Sequence, residues 1–167
     1  MEKLTLSSLG IPRVLNAATT YTRIGGSRMA PEVLAAMVQG ASDFVEIEQL
    51  HKVAGERIAQ LTKNEAAYVT PGCAGAIVLS VLAILDRNKS ATKNEFIIDR
   101  THMVDYVQSI EFAGGVIKEI GAEGHRSDAD LVNAFNEKTA GIFFVPGLNR
   151  PPGALSIERT VEIAKQH

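Results

Sequence analysis

Hydrophobic positions change their spacing partway along the chain, and that change organises everything else. Residues 1–30 have no sustained period and are rich in Thr, Gly and Arg, which predicts an irregular arm. Pro31 then opens the apolar-periodic run PEVLAAMVQG. Proline suits a first helical turn because its missing N–H is not needed there, and Gly40 is a stop signal. A longer helix is predicted to begin after Ser42 and reach about Thr62. Val45, Ile47, Leu50, Val53, Ala54, Ile58 and Leu61 carry its helical spacing.

Beyond Lys63, short apolar runs alternate with helical ones. Strands are predicted at AAYVT (66–70), EFIID (95–99), VIKEI (116–120) and GIFFV (141–145). Between them lie a strongly apolar helix after the Pro71-Gly72 turn, a helix over 102–115 ended by paired glycines, and a helix over 127–137. Ser127 and Asp130 form a capping-box pair on the last of these. A helix over 156–166 follows. Four strands separated by helices predict parallel crossovers in a layered α/β sheet. The strands lack clean alternation, as expected where both faces are covered. The pattern divides the chain into an arm with helices, 1–62, and an incomplete α/β domain, 63–167. After the final helix the pattern calls for another strand, so the chain reads either as the front part of a larger enzyme or as a small four-stranded domain.

Composition narrows the function classes. Of 167 residues, 46% are hydrophobic and 22% charged, which is globular. The net charge of −2 comes with no basic stripe, so nucleic-acid binding through charge is not expected. No apolar stretch is long enough for a bilayer, and the N-terminus lacks the apolar core of a secretory signal. A single cysteine, Cys73, rules out an internal disulfide and fits a reducing cytoplasm.

In an α/β sheet ligands bind beyond the carboxyl ends of the strands. Four patches fall there. Thr70-Pro71-Gly72-Cys73-Ala74-Gly75 leads into a helix, where free N–H groups and the positive helix end suit a phosphate; from the residues alone a plain tight strand–helix turn is the simpler reading. His102, after Asp99-Arg100-Thr101, is placed to stack on a flat cofactor, move a proton, or cap a helix. Arg23 and Arg28 flank Gly25-Gly26 in the arm, where they can clamp an anion or sit on a surface that wraps this domain or a partner. Pro146 to Gly153 forms a proline-rich loop with Asn149 and Arg150. No zinc-like spacing and no Gly-x-Ser-x-Gly elbow occurs.

RVLNAATTYTRIGGSRMAPEVLAAM, the stretch from FVEIEQLHKVAGERIAQL through TPGCAGAIVLSVLAIL, and PPGALSIERTVEIAKQH together resemble the selenocysteine synthase-like enzymes, relatives of L-seryl-tRNA selenium transferase. The nearest branch is that of D-glucosaminate-6-phosphate ammonia-lyase-like proteins. These are pyridoxal-phosphate enzymes of fold type I, with the aspartate aminotransferase-like three-layer sheet domain. The resemblance covers the N-terminal part of such enzymes. It implies that Gly72, Cys73 and Ala74 cradle the cofactor phosphate, that His102 stacks on the pyridine ring, and that Arg23 and Arg28 meet a substrate anion near a homodimer interface. It also implies a lyase or transferase acting on an amino acid or, rather than seryl-tRNA, a phosphorylated amino sugar acid. The Schiff-base lysine and the aspartate that pairs with the pyridine nitrogen are expected beyond His167, so this chain alone is expected to be inactive. The resemblance further implies that the first strand sits beside the last strand of a full sheet. Segment 66–70 would then lack neighbours here, GIFFV would form a bare edge, and poor solubility or a tight oligomer would follow. The alternatives are a non-catalytic phosphate-binding or subunit-pairing α/β module and, less in keeping with the missing glycine fingerprint, a small nucleotide-binding domain.

Overall fold

A computed structural model describes residues 4–88, 92–121, 127–147 and 154–167. The chain separates into two compact units, residues 1–50 and 51–167.

The first unit is held by local hydrogen bonds rather than by a core. Thr5 and Ser8 exchange reciprocal bonds, and the Asn16 side chain accepts from the Ala18 N–H while donating to the Thr19 carbonyl. A single antiparallel bridge joins Tyr21 to Gly26 across a 3-10 turn at Thr22–Ile24. Gly25 and Gly26 have φ of 94° and 76°, values only glycine adopts freely, so the sharp turn expected at this pair is present. Helix α1, Pro31–Gly40, starts at the predicted proline and has no buried residue.

Helix α2, Ile47–Thr62, starts later than predicted. Ser42 does not cap it. The Ser42 hydroxyl donates instead to the Val38 carbonyl, satisfying an orphan acceptor at the end of α1. The Glu46 carbonyl accepts the first hydrogen bond of the helical ladder, from the Leu50 N–H at 3.0 Å.

In the second unit, β1 (Glu95–Asp99) is the central strand. It pairs in parallel with β2 (Val116–Ile120) and β3 (Thr139–Phe143), giving the order β2-β1-β3. Alternation along β1 separates two cores. Phe96 and Ile98 face one side, with Val81 of α3 (Cys73–Asn88), Ile110 of α4 (Gln108–Phe112) and Val107. Ile97 faces the other, with Leu131 and Ala134 of α5 (Asp128–Ala134) and Ile163 of α6 (Ile157–Ala164). Ile97, Ile98, Ile110, Leu131 and Ile163 are fully enclosed, each worth about 1.5–3 kcal/mol of burial. This is the predicted layered parallel architecture, with helices on both faces.

Four further expectations change. Segment 66–70 forms no strand. The described sheet ends at β2 and β3, the segment pairs with neither, and a strand without a ladder partner is not one. It lies instead against α2, where the Ala67 carbonyl occupies the space a side chain at Gly55 would need. The helix expected over 102–115 is broken into 3-10 turns at Arg100–His102 and Asp105–Val107 followed by α4, because Met103 and Val104 are extended and Val104 and Val107 turn into the core. Its paired glycines do end it; a side chain at Gly115 would meet Ile110 at 2.6 Å and Phe96 at 3.0 Å. Strand β3 ends two residues early, because the Val145 N–H leaves the ladder for a side chain described below. The Ser127–Asp130 capping box is present, but α5 stops at Ala134, where Phe135 turns extended and Asn136 organises a turn with Lys138 and Thr139.

Candidate functional site

A helix that leads into a parallel strand runs back along the sheet, so α3 brings its first turn to the end where β1 finishes. At that end Thr70 donates its hydroxyl to the Gly72 carbonyl at 2.9 Å, fixing the turn, and the Ala76 N–H returns to the same carbonyl at 3.1 Å. Gly72, Cys73 and Ala74 are exposed. The N–H groups of the first helical turn have no partner within the helix, and α3 is sixteen residues long, so the end carries its full partial positive charge. A Cβ at Gly72 would meet nothing within 4 Å. There is therefore free space where a side chain at Gly72 would stand, and its glycine is not required by packing.

The chain leaves β1 through Asp99. The Asp99 carboxylate accepts from the Thr101 N–H at 2.8 Å and the Thr101 hydroxyl at 2.7 Å, which winds the 3-10 turn that carries His102. Gly121, at the end of β2, has φ of 83°, and a side chain there would press on the same carboxylate at 3.1 Å. His102 is 2% exposed. Its ring lies 4.2 Å from that of Phe144, tilted by 41°, and its Nδ1 accepts the Val145 N–H at 3.3 Å. In the neutral ring that bond puts the proton on Nε2. His102 thus ties the exit of β1 to the exit of β3, a role the isolated residue did not advertise. The cavity it borders, with Asp99 and Thr160, holds about 20 Å³, room for a water molecule and no more.

Arg23 and Arg28 belong to the first unit. Arg23 lies within the 3-10 turn and Arg28 just past the Tyr21–Gly26 bridge, both exposed. Pro146 and Gly147 form a turn after β3, Gly147 with φ of 81°; Asn149, Arg150, Pro151, Pro152 and Gly153 lie outside the described residues. No cluster of metal-ligating side chains occurs among the described residues. No helix among them is long and apolar enough to cross a membrane.

The sequence reading missed the anchoring role of Asp99, although Asp-x-Thr at a strand end is the signature of a side chain closing on its own backbone. It also missed the stack of His51 on Tyr68, with centroids 4.9 Å apart and planes 11° apart, for which no local signal exists.

No protein-family profile matches the chain. Individual proteins do. D-glucosaminate-6-phosphate ammonia lyase of Salmonella typhimurium is 34% identical over 94% of this chain and 47% of its own length. The 5'-C-glycyluridine monooxygenase-decarboxylase of a Streptomyces species is 24% identical over 95% of this chain and 44% of its own. L-seryl-tRNA(Sec) selenium transferase of Hyphomonas neptunium is 30% identical over 72% of this chain and 28% of its own. A solved structure of D-glucosaminate-6-phosphate ammonia-lyase superposes with a TM-score of 0.85 at 32% identity, covering 99% of this chain and 49% of that one. The chain therefore spans about half the length of the lyase it matches, and its parallel sheet with helices on both faces is part of a fold type I domain.

Proposed function

The chain is a homologue of D-glucosaminate-6-phosphate ammonia lyase and of L-seryl-tRNA(Sec) selenium transferase, and from that premise we propose that it is the phosphate-holding half of a pyridoxal-phosphate-dependent lyase or transferase. The observation that carries the reading is the first turn of α3, with an exposed Gly72-Cys73-Ala74 at the strand-exit end of the sheet, where the amides of a first helical turn have no partner within the helix. That turn fits a phosphate. His102 fits only in part: it stands at the same end, but Phe144 packs on its ring and the Val145 N–H occupies Nδ1. A role against the pyridine ring requires the segment after β3 to move away.

Bound pyridoxal phosphate supplies an electron sink for elimination or replacement at an amino-acid carbon. The residues of this chain bind and orient. The α3 amides hold the phosphate, His102 steadies the ring, and Arg23 and Arg28 receive the anionic group of an amino acid or a phosphorylated amino sugar acid. Residues 1–62 form the arm with its helices, and 63–167 the cofactor domain. Exposed Val33, Leu34, Met37 and Val38 on α1 support burial of the arm in a homo-oligomer. The Schiff-base lysine and the aspartate that pairs with the pyridine nitrogen belong to the half of the enzyme that this chain does not match, so the 167 residues bind without turning over. The setting is the cytoplasm.

The test is a pyridoxal-phosphate titration followed by absorbance, then borohydride reduction and mass mapping. The reading expects scattered labelling of surface lysines. A single, stoichiometrically labelled lysine overturns the claim that the reactive lysine lies elsewhere.

A further inference from the structure

Helix α2 has one covered face, made by His51, Ala54, Gly55 and Ala59 at helical spacing. Two of these residues, one turn apart, fasten the segment that follows. Gly55 leaves a notch filled by the Ala67 carbonyl. His51 stacks its ring on Tyr68, with centroids 4.9 Å apart and planes 11° apart. The Nδ1 atom of His51 is enclosed and has no hydrogen-bond partner among the described residues, so that nitrogen adds no bond to the ring contact. Tyr68 is otherwise 67% exposed. Residues 67 and 68 thus meet successive turns of α2, one through its backbone and one through its ring.

The fastened segment ends in the first turn of α3. Two residues after Tyr68, the Thr70 hydroxyl donates to the Gly72 carbonyl at 2.9 Å, the same carbonyl that accepts the Ala76 N–H. A side chain at Gly75 would meet Thr70 at 3.8 Å and Pro71 at 3.9 Å, so the end of the segment lies directly against the helix start. Pro71 fixes its own φ and stiffens the step from Thr70 to Gly72. Thr70 is therefore a joint: its backbone continues the stretch that α2 holds, and its side chain fixes the carbonyl around which α3 begins. Where that turn stands matters, because groups that bind a ligand must be held within about 0.5 Å of the productive geometry.

We propose that His51 and Tyr68 are positioning residues for the phosphate turn. Their stack, acting through Thr70, sets where the first-turn amides of α3 stand, and so governs affinity for a phosphate monoester without touching the ligand. The inference rests on the reading of that turn as a phosphate site.

The experiment uses the whole chain and two ligands without an aldehyde, pyridoxine 5'-phosphate and pyridoxine, so that lysine labelling does not intervene. Calorimetry gives both affinities for wild type, His51→Ala, Tyr68→Ala, the double variant, His51→Phe, Tyr68→Phe and Gly72→Val, each checked for unchanged circular dichroism. Amide exchange of Ala76 is measured without ligand. The wild type should prefer the phosphorylated ligand. Each alanine variant should lose about fivefold of that preference, the scale of one aromatic pair, with pyridoxine affinity unchanged. The double variant should lose no more than either single one, the phenylalanine variants should retain the preference, and Ala76 should exchange at least about threefold faster in the alanine variants only. A wild type without the preference overturns the reading of the turn as a phosphate site, and this inference with it. A preference lost in Gly72→Val but kept in His51→Ala and Tyr68→Ala overturns this inference alone. So does an equal loss for both ligands, or a His51→Phe variant as impaired as His51→Ala, since either would mean that the pair supports the fold without aiming the turn.

Discussion

Gly55 sits in the interior of α2, where sequence logic recommends replacing it. Alanine in a helix interior is favoured over glycine by about 0.5–1 kcal/mol, so Gly55→Ala ought to stabilise the protein. The structure reverses the sign. Gly55 is buried, and the Cβ of an alanine would overlap the carbonyl oxygen of Ala67, a backbone atom that cannot rotate away. Forcing extra volume into a packed contact costs about 1–3 kcal/mol, which outweighs the propensity gain and leaves a net loss of about 1–2 kcal/mol. With a urea dependence of about 1–3 kcal/mol per molar, the midpoint of a urea titration followed by circular dichroism should fall by roughly half a molar to one molar. Amide exchange should show the earliest loss of protection around Ala67. A midpoint equal to or above that of the wild type would mean that the Gly55–Ala67 contact yields freely and that segment 66–70 is not moored to α2.

Further expectations follow from the core and the strand-exit end. Leu131→Ala removes a side chain that is 1% exposed between β1 and α6 and should cost about 2–5 kcal/mol in a denaturant titration. Gly121→Ala combines a left-handed backbone with pressure on the Asp99 carboxylate; a loss of about 1–2 kcal/mol should come with a shifted Val145 amide resonance, since Asp99 winds the turn that holds His102. Gly72→Val meets open space, so it should leave the urea midpoint unchanged while weakening pyridoxal-phosphate binding by about tenfold; unchanged affinity would remove the turn from the site.

The sequence carried the elements whose causes are local. Pro31 starting α1, the Ser127–Asp130 box on α5, and Gly114-Gly115 closing α4 were all legible from residues within a few positions of one another. Long-range competition decided the rest. Ser42 looked like a cap for the helix ahead, yet its hydroxyl serves the helix behind. AAYVT has the composition of a strand, but strand formation depends on a neighbour, and periodicity cannot supply one. His102 and Gly72 were visible as chemistry-bearing types at the right end of a sheet. The bond that binds His102 to Val145 joins residues forty-three positions apart and leaves no trace in either neighbourhood.

The parallel pairings also bear on the order in which the protein can assemble. Among the described residues every ladder of the sheet lies between Glu95 and Phe143, so the strands and α5 have all left the ribosome before α6, whose Ile163 completes one of the two cores. Parallel pairings of this kind close long loops and form slowly. Segment 66–70 emerges before any of it and has no ladder to join at that moment. Its contact with Gly55 needs only residues already made by then, while Tyr68 and Val69 stay exposed for whatever joins them later.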